Sequence, residues 1–524
     1  MLVPALRNQS ATTLSNAVQM LACRALILWI RTTPLWLMAV ALHALPAAAA
    51  FAARHYALYL WCLGELAFVN YYMMLRWRVR RAPAPRRHEC ATAGDRRRLA
   101  ERAVDDMCNL GASKQAFLAG WFHGATCVTR DAFERWTAWA FFDAEPHELE
   151  EDAKAELRDL VTWFERRVGH VFPRRGPTAN CIRLKYDAVN DVYRPLMYYW
   201  CTWHLWALGR LVVRLLGFRQ DAADRRVFYR ASAGPGTPLV FVHGIGIGFV
   251  HYALLLASLP REAPVVLVEW PHCSQCLDGR DPPSQQATVA SVRRALASRG
   301  HGPAVFLAHS LGTTAVAWCL KAKRSPVRSV ILIDPLCFLL VAPTTAFNFL
   351  HRAPSSAIQL LLQFFIATEL FTANTIQRHF SWTHNTLFVD DLPAARSTVI
   401  LAAKDLITNA PLIRQYLQPA ASRGDVDVHF HRGLEHGELF LRPALVARTA
   451  RAYNSSYISW IEQHADVASD SAAGSDGANP VANPQYWAAA TVWATLTQAP
   501  PRACWTTGAW SKASGDASPR AALL

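Results

Sequence analysis

The sequence predicts an α/β chain: a mostly parallel sheet with helices on both faces, preceded by N-terminal membrane helices and a helical region. Three observations carry this expectation. From residue 226 onward, short apolar runs alternate with helix-like stretches: RVFYR, PLVFVHG, PVVLVEW, AVFLAHS, SVILIDP, STVILAAKD and VDVHFHR. Most of these runs are apolar at successive positions, which suits strands buried on both faces. Two long stretches almost free of charge lie near the N-terminus, and between them and the strand-rich part the pattern turns helical.

Residues 32–53 (TTPLWLMAVALHALPAAAAFAA) carry no charge, and residues 56–75 carry one acid, Glu65. A helix of about 20 apolar residues crosses a hydrocarbon core of about 30 Å. Arg24 and Arg31 before the pair, and Arg76, Arg78, Arg80 and Arg81 after it, put both ends on the cytoplasmic side by the positive-inside rule. A hairpin in one leaflet fits the same pattern. Glu65 favours a different reading, a helical pair buried against the rest of the chain. Residues 1–81 are thus expected to form a membrane anchor, whose removal should solubilise the remainder unless residues 196–218 hold a second anchor.

A Pro/Ala/Arg linker (82–95) leads into the helical region, within the expected segment 82–225. There DAKAELRDLVTWFERRVG places Leu157, Leu160, Val161, Phe164 and Val168 on one helical face, three or four residues apart. Residues 196–218 are apolar and rich in Trp and Tyr, with Arg210 and Arg214 one turn apart, a pattern of an interfacial helix or, as the alternative, of a buried amphipathic one. The strand-rich domain is expected over 226–464. A mostly helical insertion at about 336–393 interrupts its rhythm. The tail 465–524 is low in complexity, hence an expected disordered segment, although YWAAATVWATL could form a short helix.

The chain has 524 residues, 52% hydrophobic content and a formal net charge of +15. Much of the excess sits in short arginine clusters such as RWRVRRAPAPRR (76–87). No zinc-finger spacing or RNA-binding aromatic signature accompanies them, so nucleic acid is not an expected partner. Their place after apolar segments points to anionic lipid headgroups. The 12 cysteines are scattered, mostly in apolar contexts, as buried thiols would be. Cys273 and Cys276 have C-x-x-C spacing but lack the second pair or the context that a metal or redox site requires.

The chemistry is concentrated in AVFLAHSLGTTAVAWCL (304–320), where a strand runs into Ser310. A serine presented on a tight strand-to-helix turn needs small neighbours two residues away on each side; here they are Ala308 and Gly312. The helix that follows aims its N-terminus at the serine and favours negative charge there. A serine in such a turn can also be a mere cap. Its companions argue for a nucleophile, which needs a base, an orienting acid and an oxyanion hole. His243, Gly244 and Gly246 form a glycine-rich loop after an upstream strand, so the N–H groups of Ile245 and Leu311 are candidate oxyanion donors. That loop lacks the Lys-Ser/Thr of a phosphate-binding loop. Asp405 and Asp334 each end a strand and are candidate acids. Of His429, His431 and His436, only His436 lies beyond a strand in a loop, where an imidazole can reach over the sheet edge.

His243-Gly244, Ala308-His309-Ser310-Leu311-Gly312, Asp405 and His436, in this order, make residues 227–464 resemble the α/β-hydrolase fold superfamily, in its serine esterase and lipase branch. The resemblance implies an eight-stranded, mostly parallel sheet, the serine after the fifth strand and a cap inserted after the sixth. It implies Ser310 as nucleophile, His436 as base and Asp405 as its acid. Ala308 replaces the commoner glycine, as it does in a subset of lipases. Members that carry the acid after the sixth strand make Asp334 the alternative. The whole layout is similar to uncharacterised membrane-linked members of fungi and algae. The activity so implied is ester cleavage, which requires no metal and no organic cofactor; the apolar insertion (AIQLLLQFFIATELF) and the membrane anchor point to apolar or lipid-like substrates. The same residues would serve an acyltransferase, and the same fold a non-catalytic binding scaffold.

Overall fold

A computed structural model describes residues 3–43, 56–82, 92–177, 179–232, 236–261, 263–277, 281–393 and 397–451. Residues 44–55, most of the expected linker, and the tail with YWAAATVWATL lie outside the described residues.

The chain opens with a helix absent from the sequence reading, α1 (Val3–Arg31). Polar residues such as Arg7, Asn8 and Gln9 break up its apolar pattern. Helix α2 (Thr33–His43) follows after a bend of 57°. Pro34 explains the break: it has no N–H to continue the ladder, so the helix restarts around it. Helix α3 (Tyr56–Arg81) contains the second apolar stretch and is long and apolar enough to cross a membrane. One face buries Phe68, Tyr72, Leu75 and Val79, while Leu58, Leu63, Leu66, Met73, Met74 and Trp77 stay exposed.

Helix α3 thus has one buried and one exposed apolar face. Glu65 is fully buried, and its carboxylate accepts the N–H groups of Leu196 (2.8 Å) and Met197 (3.0 Å). The arginine cluster is also partly engaged. Arg76 and Arg80 both pair with the buried carboxylate of Asp191, each at 2.8 Å.

The helical region contains α4 (Ala93–Asn109), α5 (Lys114–Trp121), α6 (Arg130–Phe142) and α7 (Glu151–Val168). Leu157, Leu160, Val161 and Phe164 of α7 are buried, as their spacing predicts, and Val168 is half-buried. Helix α8 (Leu196–Leu215) buries Tyr198, Tyr199, Thr202, Gly209 and Val213 and exposes Trp200, Trp203, Leu208, Leu211 and Leu215. Its two arginines differ, contrary to the expectation of a shared interfacial role. Arg214 is exposed, but Arg210 turns inward to pair with the buried Glu269 at 2.9 Å.

Eight strands follow in the order β1-β2-β4-β3-β5-β6-β7-β8. Strands β1 (Arg219–Gln220) and β2 (Val227–Arg230) are antiparallel to their neighbours. The other six are parallel: β3 (Leu239–Val242), β4 (Val265–Val268), β5 (Ala304–His309), β6 (Val327–Ile333), β7 (Ser397–Ala402) and β8 (Val426–His431). All seven runs recognised in the sequence are strands; β1 escaped notice because two residues carry no alternation. Helices α9 (Ala253–Ser258), α10 (Gln285–Ala297) and α11 (Gly312–Lys321) alternate with β3 to β6. Alternate side chains of the central strands enter two cores, one on each face of the sheet.

Between β6 and β7 the insertion forms α12 (Ala357–Ala367) and α13 (Leu370–Arg378), bent by 82°, and a short α14 (Trp382–Asn385). Glu369 caps α13 through the N–H groups of Phe371 and Thr372 and accepts a hydrogen bond from Tyr199 Oη (2.9 Å), which ties the insertion to α8. Helix α15 (Ala410–Arg423) joins β7 to β8.

Candidate active site

Ser310 sits on the turn between β5 and α11 with a φ of 50°, a left-handed conformation that costs a side-chain-bearing residue about 1–3 kcal/mol. The surroundings enforce it. Its N–H donates to Ile333 O (3.0 Å), and its carbonyl accepts the Thr313 hydroxyl (2.7 Å). A Cβ on Gly312 would stand 2.4 Å from Val242 O and 2.7 Å from His243 O, so only glycine fits. Ala308 is fully buried beside Val242 of β3.

His436 lies in the loop after β8. Its Nε2 is 2.9 Å from Ser310 Oγ and its Nδ1 2.7 Å from Asp405 Oδ2. Asp405, just past β7, also accepts the N–H groups of Ile407 (2.7 Å) and Thr408 (3.1 Å) and the Thr408 hydroxyl (2.7 Å). Burial alone would raise this carboxyl, but His436 and these donors hold it below the ordinary range. Burial would likewise depress His436, yet the Asp405 carboxylate, with Asp334 behind it, raises it to about 9.

The alternative acid, Asp334, has another place. Its carboxylate accepts the N–H groups of Ala402 (2.8 Å) and Gly437 (2.9 Å) and makes no hydrogen bond to His436. Both carboxyls end neighbouring strands; only the one beyond β7 lies along the imidazole's Nδ1 direction. Asp334 instead holds the His436 loop by its backbone. His429 and His431 stay half-buried on β8.

The glycine-rich loop is equally specific in its bonding. Among the described residues, the N–H groups of Ile245 and Leu311 have no acceptor, whereas Gly246 donates to Cys273 O (3.0 Å). His243 is fully buried, with Nδ1 at 2.7 Å from Gly244 O and Nε2 accepting the Trp270 N–H (2.8 Å). Burial lowers it to about 4, so this imidazole is a neutral brace for the loop. Sequence reasoning missed Tyr252. Its Oη accepts the Gly244 N–H (3.0 Å) and lies 2.8 Å from His309 Nδ1, linking the loop to the serine turn. No pattern in the sequence marks it. Cys273 and Cys276 each donate to a carbonyl of their own turn, and among the described residues no cluster of His, Cys, Asp and Glu could hold a metal.

Ser310 and His436 open into a cavity of about 870 Å³, lined mostly by apolar side chains from the sheet end, the helical region, the insertion and the N-terminal helices. Such an arrangement can bring an apolar acyl group to a hydroxyl that already has a proton acceptor in hydrogen-bond contact.

A family model described as the alpha/beta hydrolase family matches residues 239–449. No curated protein matches the chain. Among solved structures, an esterase from Pyrobaculum calidifontis is 15% identical, the match covering 51% of this chain and 96% of that one, with a TM-score of 0.35. Carboxylesterase CesB from Bacillus subtilis is 13% identical, with coverage of 49% and 98% and a TM-score of 0.32. A membrane phospholipase A, described as a bacterial virulence factor, is 16% identical, with coverage of 50% and 92% and a TM-score of 0.33. The family match spans the strands that carry Ser310, Asp405 and His436, and this domain belongs to the α/β-hydrolase superfamily.

Proposed function

We propose that the chain is a membrane-associated serine hydrolase that cleaves carboxylic esters of apolar, lipid-like substrates. The reading rests on one observation: the hydrogen-bonded line Ser310–His436–Asp405 opens into an apolar cavity. Ser310 Oγ attacks the ester carbonyl while its proton passes to His436 Nε2. The carbonyl oxygen, now negative, is held by the N–H groups of Ile245 and Leu311; such a donor is worth roughly 3–4 kcal/mol. The C–O bond to the alcohol breaks as His436 returns the proton to it, leaving an acyl group on Ser310. Water, deprotonated by His436, then releases the acid and restores the serine hydroxyl. Asp405 fixes the imidazole tautomer and balances its charge.

The anchor is assigned to residues 1–81, the helical region to 82–225 and the hydrolase domain to 226–464, with its cap at 336–393. Membrane association follows from the exposed apolar faces of α3 and α8. The arginines in the last turns of α3 (Arg76, Arg78, Arg80 and Arg81) support the cytoplasmic face for the domain.

The test is labelling of the full-length protein by a fluorophosphonate probe, beside Ser310→Ala. Labelling of the wild type that disappears in the variant supports the reading. A folded wild type that takes no label sinks it and favours a binding scaffold. In turnover, capture of the acyl group by an added lipid alcohol in preference to water would make the enzyme a transferase.

A further inference from the structure

The cavity at Ser310 has two kinds of wall. Its inner wall is buried: Trp139, Leu336 and Trp382 are each less than 8% exposed. Its rim is carried by α1, α2, α3 and α8. Trp29 (59% exposed), Trp36 (37%), Leu58 (38%) and Leu205 (41%) line the cavity and also meet the outside. All four helices also expose large apolar side chains, such as Leu21 and Leu28 of α1, Leu35 of α2, Leu63 of α3 and Leu208 of α8. Two aromatic contacts brace the rim. Trp29 stacks on Trp36 across the bend between α1 and α2, centroids 5.9 Å apart, and Trp61 of α3 meets Trp200 of α8 edge-to-face at 5.9 Å. A mouth that received solutes from water would carry a polar margin; a margin of tryptophan and leucine, continuous with exposed apolar helix faces, suits contact with hydrocarbon.

We infer that the cavity is loaded sideways from the bilayer: the acyl chain of an ester lipid enters between α1–α3 and α8, and its carbonyl comes to rest at Ser310. This rests on Ser310 being the nucleophile. It narrows the substrate class to long-chain ester lipids resident in a membrane and gives the N-terminal helices a role in substrate capture beyond anchoring. About 870 Å³ lies toward the upper end of the roughly 300–1,000 Å³ usual for small-ligand pockets, as a long flexible chain requires.

The full-length protein in phosphatidylcholine vesicles is treated with two fluorophosphonates, one with an ethyl chain and one with a hexadecyl chain ending in a diazirine. Ser310→Ala serves as the blank. After Ser310 is labelled by the long probe, the diazirine is activated and the cross-linked residues are mapped. The expected result is labelling by the long probe at least about tenfold faster than by the short one, with the tail fixed to residues 29–37, 58–61 or 197–205. Cross-links confined to the insertion or the sheet overturn the lateral route. So does labelling by the ethyl probe alone. If neither probe labels Ser310 of a folded protein, the nucleophile reading fails and the lateral route falls with it.

Discussion

At Ser310 the decisive quantity is the protonation of His436. Only the neutral imidazole takes the serine proton, so activity should rise with pH through the His436 pKa. Raised above the ordinary 6.5 by Asp405, this limb is expected on the alkaline side, toward pH 9, in a profile of kcat/KM. The fold feels the opposite sign. A raised imidazole pKa means that the His436–Asp405 pair stabilises the folded state fully below about 6.5 and loses that contribution as pH climbs toward 9. Thermal stability should therefore fall over the window in which activity rises. Asp405→Asn removes the charge that sets both effects and should lower kcat on the order of 10³–10⁴-fold. Tyr252→Phe leaves the Gly244 N–H without its acceptor. It should reduce kcat about tenfold with little change in KM, one hydrogen bond's worth of oxyanion-loop order.

At the scale of elements, the buried Glu65 joins two helices that are far apart in sequence. The first N–H groups of α8 have no partner within their own helix, and the dipole there favours an anion. Glu65 supplies both the acceptors and the charge. Glu65→Ala should cost roughly 1–3 kcal/mol, read as a lowered unfolding temperature in detergent, and Glu65→Gln less, because it keeps one acceptor. The turn between β5 and α11 is the other sensitive junction. Gly312→Ala would drive a methyl into the backbone of β3, at a cost of about 1–3 kcal/mol and with loss of fluorophosphonate labelling.

Over the whole molecule, the N-terminal helices are part of the folded body. Phe68, Tyr72, Leu75 and Val79 of α3 share one core with Tyr198 and Tyr199 of α8 and Leu370 and Phe371 of α13. Deleting residues 1–81 removes this core's outer half, the cap on α8 and the rim of the cavity. Deletion is therefore predicted not to solubilise the remainder. The truncated chain should aggregate or lose cooperative unfolding, whereas a detachable anchor would leave a soluble, labelled domain.

The fold was legible wherever the signal is local. Strand runs from Val227 to His431 announce themselves by burial on both faces, and the serine turn by the small residues that its strained geometry demands. Chain order already offered Ser310, Asp405 and His436 together. It could not separate Asp405 from Asp334, because both end neighbouring strands and only the direction of the imidazole distinguishes them. Tyr252, Asp191 and Glu65 were illegible for a related reason: each acts on a backbone group or charge brought to it by folding. Periodicity and side-chain size are properties of neighbours along the chain, so the sheet, the serine turn and the apolar character of the N-terminal helices could be read without the fold. Folding settles which carboxylate meets His436, which arginines are paired, and that the apolar helices wall the cavity. Those outcomes depend on hydrogen-bond direction and on packing between segments that the chain itself keeps far apart.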